Sequence, residues 1–437
     1  MWALRTGRGR IATVALATAV VALAVGATAS VGSVKSTSKG KTIVFWHYLT
    51  DREQLLQQMA DRYKKETGVT VKLTLLSPDI EAQKFQASVQ AHTLPDVVVS
   101  WKGPGEDLAP YAKQGIIYRL DKAMKSWSNR FPAQELSAVS FQPGNTFGVK
   151  PGKYLVPLDS NNMQILYNKD LFAKAGIKTA PTRWRELIAD AQKLRAHGIT
   201  PFTTGLGSWP VDSLATIYQW NIVGRKNMTA TFAGKIPYTN PIWVNFLNFF
   251  AGWKDANLFD QGALAEDLPA AENEFVNGKA AMIFDGSWAL GVFHQANPNF
   301  KHYGVFMPPA APNSKNPVYI PGGVGAEIFV VGTSPVRDEA LAFVKWLTDA
   351  KQQGQYAKSS FNLPANTSVP TSLLSSNPVI SDFANKMSRV QPALPNGMPA
   401  PVATTMDAGL QRLLAGESSA EDVAKRMQKA AETGQAQ

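Results

Sequence analysis

The chain has 437 residues, of which 45% are hydrophobic and 18% charged, and it contains no cysteine. Because a single hydrophobic core stops growing at about 250 to 300 residues, this length predicts two domains. The ordinary composition excludes bulk disorder. The lack of cysteine excludes disulfides, thiolate metal sites and cysteine nucleophiles, and with them the cysteine that carries the lipid of bacterial surface lipoproteins.

The N-terminus has the pattern of an export signal. Three arginines within the first ten residues precede an uncharged apolar stretch at 11–25, and Ala27-Thr28-Ala29 forms a small-residue cleavage site. We therefore predict a signal peptide over residues 1–29 and a flexible Ser-, Gly-, Thr- and Lys-rich spacer over 30–40. The mature protein would lie outside the cytoplasm, in the periplasm or on the outer face of the cell membrane.

The alternative is that the signal stays uncleaved as a membrane anchor. The apolar stretch 11–29 is almost as long as the ~20 residues that a membrane-spanning helix needs. The Ala-x-Ala site favours cleavage. Later segments are not apolar enough to predict a further span.

The formal net charge is +11, and it falls to +8, or 41 basic minus 33 acidic residues, once the three signal arginines are removed. Lys and Arg stand beside Asp and Glu, as in the run from Asp61 to Glu66, whereas nucleic-acid binders concentrate their basic residues in patches or arms. We therefore predict no nucleic-acid partner and interpret the charge as a solvated surface facing an acidic cell envelope.

Strand and helix patterns alternate after the spacer. A β-rich run at 41–46 precedes a helix in which Thr50 and Glu53 form a capping box and which Gly68 ends. The next predicted elements are a strand at 69–75, a helix over 81–91 and a strand at 96–99. This alternation predicts a parallel α/β sheet.

A second α/β region follows from Pro157. Its apolar and amphipathic patterns predict a strand at 165–167, a helix from Pro181-Thr182 to Gly198, a helix over 270–277, a strand at 280–284, a strand at 326–331 and a helix over 336–348. Ligands of open α/β sheets bind outside the carboxyl ends of the strands. In the first region those ends carry the aromatic stretches Trp46-His47-Tyr48 and Ser100-Trp101-Lys102.

Characteristic motifs follow one another along nearly the whole chain after the spacer. They are IVFWHYLTD at 43–51, LPDVV at 94–98, LAPY at 108–111 with GII at 115–117, VPLDSN at 156–161 leading to LYNKDLF at 166–172, PTRW at 181–184, FVNGKAAM at 275–282 through DGSW at 285–288, and GG at 322–323 with NLPA at 362–365. Their order resembles the extracellular solute-binding proteins of ABC sugar importers, the family of maltose- and raffinose-type binders.

The resemblance implies an α/β, two-lobed periplasmic binding protein of type II, each lobe a sheet flanked by helices and joined to the other by hinge crossings. Lobe 1 would comprise 41–156 plus 321–356, and lobe 2 would comprise 157–320 plus 357–437. The hinge candidates are Val156-Pro157 and Ile320-Pro321.

The same resemblance implies a function without chemistry. A monomer would capture a sugar or oligosaccharide in the interlobe cleft by hinge closure and present it to the permease subunits of an ABC importer. Neither a cofactor nor a metal is expected.

A sugar offers hydroxyls and weakly polar C–H faces, so its site needs flat aromatics and short polar side chains. The chain has 11 tryptophans. Trp288, Trp101 and Trp209 are the stacking candidates, because each follows a predicted strand. Trp46 belongs more to the core of the first strand, with His47 or Tyr48 reaching the cleft.

Polar candidates complete the site. Asp159 and Asn161 lie two residues apart, and therefore on one side of an extended segment, where an acid or amide can bind hydroxyls. Asp285 either accepts a hydroxyl proton or caps its turn, and Gly323 allows backbone to approach the ligand. The amide of Asn161, where relatives often have an acid, and Val324, where they often have an aromatic, depart from the family pattern.

Two other classes stay open. A receptor for a polyamine, an anion or a polyol phosphate would need clustered acids or arginines, and neither cluster is visible at the predicted strand ends. A secreted carbohydrate-active enzyme would need a catalytic constellation. The five histidines have no metal-ligand spacing, and the chain has no Gly-x-Ser-x-Gly nucleophile elbow and no P-loop.

Overall fold

The computed structural model describes residues 40–100, 103–374, 377–394, 397–435 and 437. Eleven strands lie in this part of the chain, and they form a large sheet and one small pair. In chain order they are β1 Thr42–His47, β2 Thr70–Leu75, β3 Val97–Ser100, β4 Ser140–Phe141, β5 Gly152–Lys153, β6 Val156–Asn168, β7 Thr200–Thr203, β8 Ala280–Gly286, β9 Tyr303–Phe306, β10 Gly322–Val330 and β11 Leu363–Pro364.

The large sheet has the strand order β2-β1-β3-β10-β6-β8-β7, with β9 and β11 also paired to β6. Strand β1 is parallel to β2 and β3, and β7 is parallel to β8. Strand β10 runs antiparallel to both β3 and β6. The predicted parallel arrangement is confirmed for β1, β2 and β3, whereas the long strands β6 and β10 run antiparallel to their neighbours.

The 13-residue strand β6 changes partners along its length. Its first half, from Val156 to Asn162, pairs with β10, whereas its second half, from Met163 to Asn168, pairs with β8 and β9. One continuous strand thus joins two sheets.

Helices cover both faces of these sheets. In chain order they are α1 Glu53–Thr67, α2 Pro78–Ala91, α3 Ala109–Lys113, α4 Asp121–Met124, α5 Ala133–Ala138, α6 Lys169–Lys174, α7 Trp184–Ala196, α8 Pro210–Tyr218, α9 Gly224–Phe232, α10 Pro241–Asp255, α11 Leu268–Val276, α12 Ala289–Ala296, α13 Arg337–Leu347, α14 Ala350–Ser360, α15 Pro378–Ala384, α16 Ala400–Ala415 and α17 Ala420–Thr433. None of them is long and apolar enough to cross a bilayer.

The buried side chains form two pairs of hydrophobic clusters. One pair packs α1 and α13 against one face of β1, β3 and β10, and α2 and α3 against the other face. The second pair packs α7, α8, α10, α16 and α17 on one side of β6 and β8, and α11, α12 and α15 on the other. Each half is therefore a sheet flanked by helices, which confirms the predicted two-lobed α/β class.

The predicted capping box at Thr50 is wrong. Thr50–Arg52 forms a single 3-10 turn, and α1 begins only at Glu53, with no side-chain hydrogen bond at its cap. The Arg52 side chain is instead buried and reaches Asp159 in β6. This tertiary contact holds residues 50–52 in a 3-10 turn, at the position where we expected the Thr50 side chain to cap the helix.

Candidate functional site

The carboxyl end of β1 carries a buried histidine. The His47 side chain is 1% exposed, and both of its ring nitrogens lack a hydrogen-bond partner in the described part of the chain. Burial lowers the pKa of His47 to about 4, and the neighbouring Arg52 guanidinium lowers it as well. The ring is therefore neutral near pH 7 and offers one donor and one acceptor.

Arg52 and Asp159 form a buried ion pair beside this strand end. The Arg52 Nη1 group donates to Asp159 Oδ2 and to the Tyr356 hydroxyl at 2.7 Å, while Arg52 Nε donates to Asp51 at 3.0 Å. The Tyr356 hydroxyl donates to Asp159 Oδ2 at 2.8 Å, and the Ala326 N–H donates to Asp159 Oδ1 at 2.9 Å. Burial raises the pKa of Asp159, and Arg52 and Tyr356 counteract this rise.

Asp159 therefore has both carboxylate oxygens occupied within the protein. It connects β6 to the Ala326 N–H of β10, to α14 through Tyr356, and to the 3-10 turn through Arg52. We call Arg52, Asp159 and Tyr356 the crossing network. Its geometry supports a structural role, and hydroxyl binding by Asp159 stays a prediction.

Asn161 lies on the same side of β6 as Asp159. A Cβ atom at Gly325 would sit 2.9 Å from Asn161 Nδ2 and would also clash with Asp159 Oδ1, so the glycine makes room for both side chains. Gly323 pairs with Asn161 and has φ +114°, a conformation that side-chain-bearing residues rarely adopt. Asn161 is half-buried.

Acidic side chains surround Tyr48, which contradicts the expectation that no acid cluster lies at the strand ends. Burial raises the pKa of Tyr48, and the charges of Asp159, Glu327 and Glu81 raise it further. These acids come from β6, β10 and α2. The sequence hid the cluster because its members are far apart along the chain.

Glu327 is the acid with the most perturbed environment in this cluster. Its side chain is 6% exposed, and Oε2 has no hydrogen-bond partner among the described residues. Burial and the charge of Asp159 raise the pKa of Glu327 to about 8. Glu135 on α5 lies on another side of Asp159, where its Oε1 accepts a hydrogen bond from Ser160 at 2.6 Å and burial raises its pKa to about 7.

The second lobe presents two tryptophans together. Trp209 and Trp288 have ring centroids 6.0 Å apart at an interplanar angle of 48°. Trp209 is 52% exposed, whereas Trp288 is half-buried and packs over Gly286, where no side chain fits. The N-terminal ends of α8 and α12 hold these rings next to the carboxyl ends of β7 and β8.

Buried polar groups lie beside this tryptophan pair. The Asp285 side chain is fully buried, and its Oδ1 accepts a hydrogen bond from the Gly286 N–H at 2.7 Å. Burial raises the pKa of Asp285, and the charge of Glu272 raises it further. Ser287 Oγ is fully buried without a partner among the described residues. Asp285 thus holds its turn, which is one of the two roles that the sequence left open.

The remaining predicted binding residues lie in different environments. Trp46 is 6% exposed and packs in the core against Phe85 and Val98, with the Lys84 ammonium 5.1 Å from its ring centroid. Trp101 lies outside the described residues. The structure brings Trp209, Asp285 and Trp288 together in one lobe, and it groups His47, Tyr48 and Asp159 around Arg52 in the other.

Several functional candidates were missed by sequence reasoning. Arg52 directly follows a recognised motif, so its position in the chain was a usable signal. Tyr356 and Glu327 lie inside a helix and a strand with ordinary amphipathic patterns, so nothing local marked them. Within the described ranges, no group of three or more His, Asp or Glu side chains is arranged to hold a metal ion.

Two helix-flanked halves that share the long strand β6, with aromatic and polar side chains near the strand ends of each, define a two-lobed ligand-binding protein. The sequence profile of the bacterial extracellular solute-binding proteins matches residues 46–354. The chain therefore belongs to this family, and it has the function of an extracytoplasmic substrate-binding protein of an ABC importer.

Individual relatives agree with this assignment. A binding protein of Brucella abortus is 26% identical over 305 residues, which cover 68% of this chain and 69% of that relative. The multiple sugar-binding protein of Streptococcus mutans is 25% identical over 333 residues, covering 72% and 73%. The maltose-bound MalE3 structure of T. maritima superposes with a TM-score of 0.76 at 19% identity, covering 90% of this chain and 99% of that one.

Replacing Tyr356 by Phe tests the crossing network. The substitution removes a buried hydroxyl that both accepts from Arg52 and donates to Asp159, so we expect it to lower the free energy of unfolding by about 1 to 3 kcal/mol in urea denaturation. Tyr238→Phe is the matched control, because the buried Tyr238 hydroxyl has no partner among the described residues. Equal effects of the two substitutions would contradict the network.

The raised pKa of Glu327 predicts a pH dependence of stability. Because its folded pKa of about 8 lies above that of the unfolded chain, the folded protein holds this proton more tightly. This contribution is fully present below the unfolded pKa and is lost as pH rises through the folded pKa. We therefore expect it to lower the melting temperature between about pH 4.5 and pH 8, to level off above pH 8, and to be missing in Glu327→Gln. An identical decrease in both proteins would show that Glu327 is not responsible.

Proposed function

We propose that this solute-binding protein captures a sugar or oligosaccharide between its two lobes. The observation that supports this proposal most strongly is the pair formed by Trp209 and Trp288. Their ring centroids lie 6.0 Å apart, and Trp209 is 52% exposed. Large aromatic rings at the surface are costly unless they serve an interface, and sugar C–H faces are a ligand that such rings bind.

Polar groups beside the tryptophans support a hydroxylated ligand. Ser287 in the second lobe and His47 in the first are buried side chains with polar atoms that have no partner among the described residues. Buried polar groups normally have hydrogen-bond partners, and a ligand rich in hydroxyls supplies both donors and acceptors. The sugar-binding relative and the maltose-bound structure agree with this ligand class.

A phosphate ester fits the same site less well. Phosphate recognition relies on arginine or lysine side chains that donate to the oxyanion. Arg52 is the one Arg or Lys side chain that is buried in the described part of the chain, and it already donates to Asp51, Asp159 and Tyr356. A neutral or cationic ligand therefore suits the cleft better than an anionic one.

The crossing strands indicate where the two lobes would rotate relative to each other. β6 exchanges β10 for β8 and β9 after Asn162, and its β10 partners there are Gly322 and Gly323, which have φ values of +151° and +114°. Phe361, which follows α14, has φ +57°. We place the hinge at this level, a few residues beyond the predicted Val156-Pro157 and Ile320-Pro321.

The wider context follows from the family. We propose that residues 1–29 direct export, that the closed, loaded form docks on the permease subunits of an ABC importer, and that no bond of the sugar is changed. Incubating the bound glycan with the protein for hours and separating the products by chromatography tests the last point. Intact sugar is expected, and cleaved sugar would mean an enzyme.

A thermal-shift screen tests the ligand class directly. A ligand at 100 times its dissociation constant stabilises the folded protein by about 2.7 kcal/mol, which raises the melting temperature by degrees. We expect at least one mono- or oligosaccharide from a broad panel to do so. A panel without effect, together with a rise caused by spermidine or glycerol 3-phosphate, would overturn the sugar assignment.

Replacing Trp209 by Ala separates binding from folding. Because this ring is 52% exposed, its loss should leave the melting temperature nearly unchanged. The affinity for the sugar selected by the screen, measured by calorimetry, should fall about tenfold. Trp288→Ala should weaken binding further and also lower stability, because Trp288 packs against two core clusters. Ile80→Ala, at another exposed apolar position, is the control. Unchanged affinity in both tryptophan variants would contradict the stacking role.

A further inference from the structure

We propose that the sugar carries a protonated amine, as amino sugars do, and that Glu327 in the first lobe recognises this ammonium group. The inference rests on the proposed function, because it concerns one substituent of the sugar that the cleft would hold.

The first observation is a contrast between the surface and the interior. The whole chain has a formal charge of +11, yet the buried charged side chains of its described part are almost all acidic. Eight Asp and Glu side chains are buried there, against Arg52 as the one buried Arg or Lys. Six of the eight form two groups: Glu81, Glu135, Asp159 and Glu327 lie around Tyr48 and Asp159 in the first lobe, and Glu272 lies beside Asp285 in the second.

Such an accumulation of acids is unfavourable without a cation. Burying several carboxyl groups together costs desolvation and mutual repulsion, which is why their pKa values rise. Arg52 offsets part of this cost, but its guanidinium is committed to Asp51 and Asp159. Glu327 and Glu135 each keep a buried oxygen, Oε2, that has no partner among the described residues.

Glu327 is the member of this group that pairs with the carboxyl end of β3, where it lies opposite Ser100. It lies next to Asp159 and Tyr48, on the strand that borders the end of β3. Gly103, in the loop after β3, passes over its carboxylate, and a Cβ atom there would lie 3.8 Å from Glu327 Oε1. Gly103, which has no side chain and is half-buried, thus lies over the carboxylate of Glu327.

His47 is a second observation that is independent of the acids. It is 1% exposed at the end of β1, and neither ring nitrogen has a partner among the described residues. An acceptor nitrogen on a neutral imidazole suits an N–H or O–H donor from a ligand. The Arg52 guanidinium acts on the charge of both His47 and Tyr48, so His47 lies close to the ion pair of Arg52 and Asp159.

An ammonium group meets these requirements better than a hydroxyl. It brings three donors and no acceptor to the carboxyl oxygens of Glu327 and Glu135 and to the acceptor nitrogen of His47, and its charge removes the repulsion that a neutral hydroxyl would leave. Binding would also displace the proton that Glu327 holds below pH 8. Proton release is therefore a signature that neutral sugars would not produce.

Matched sugars test the proposal. Cellobiose, chitobiose and fully deacetylated chitobiose share ring and linkage, and at C2 they carry a hydroxyl, an acetamide and an ammonium group; glucose, N-acetylglucosamine and glucosamine repeat the series as monosaccharides. Titration calorimetry near pH 6.5 in two buffers of different ionisation enthalpy gives both the affinity and the number of protons released.

We expect the ammonium member to bind at least tenfold more tightly than its hydroxyl counterpart and to release about one proton per bound sugar. Glu327→Gln should abolish this preference and the proton release. Glu421→Gln, at an exposed position on α17, is the control and should change neither. The melting temperature of each variant verifies that it is folded.

The failures of the two proposals are distinguishable. If a neutral sugar binds as tightly as its ammonium counterpart, and Glu327→Gln leaves the two equal, the ammonium site is wrong and the sugar receptor stands. If no sugar from the matched series or the broad panel binds, the proposed function itself fails. Binding of spermidine with loss in Glu327→Gln, but of no sugar, would also overturn the sugar assignment.

Discussion

One carboxylate holds together the elements on which the site depends. Asp159 accepts hydrogen bonds from the Arg52 guanidinium, the Tyr356 hydroxyl and the Ala326 N–H, and it thereby connects β6, β10, α14 and the 3-10 turn before α1. A buried charge pair of this kind contributes little net stability, yet the loss of one partner is strongly destabilising because it leaves the other charge unpaired. The main role of the Arg52–Asp159 pair is to fix the position of the strands that pass between the lobes.

The two residue groups that we propose as the walls of the cleft depend on this fixed frame in different ways. In the first lobe, Arg52 is drawn inward to Asp159, and this places an ion pair behind His47 and Tyr48 instead of a free cation at the surface. In the second lobe, Trp209 and Trp288 sit at the starts of helices that follow strand ends, beyond the point at which β6 leaves β10. A rotation of the second lobe about a hinge beyond the crossing network would therefore move Trp209 and Trp288 towards the acidic side chains of the first lobe. The contacts within each group would stay unchanged.

Much of the fold could be predicted from the sequence, because periodicity and motif order report local structure and family. Strand ends such as Trp46-His47-Tyr48 and the turn at Asp285-Gly286 were found in this way. The antiparallel direction of the long strands β6 and β10 could not be predicted, since it follows from the path of the whole chain. The acid cluster was missed for the same reason: Glu81, Asp159 and Glu327 meet only in three dimensions. Hydroxyl binding by Asp159 stays a prediction, and a sequence could not show that Arg52 and Tyr356 already donate to its carboxylate.

The most direct test of the account measures the distance between the lobes with and without sugar. The chain has no cysteine, so Glu106→Cys and Ala265→Cys give one clean spin-label pair for double electron–electron resonance. Both positions are exposed, Glu106 in the loop after β3 of the first lobe and Ala265 at the end of a 3-10 turn in the second. The account predicts a distance distribution that shortens and narrows when the sugar selected by the thermal-shift screen is added. A distribution that stays unchanged at a saturating concentration of that sugar would contradict capture by closure of the two lobes.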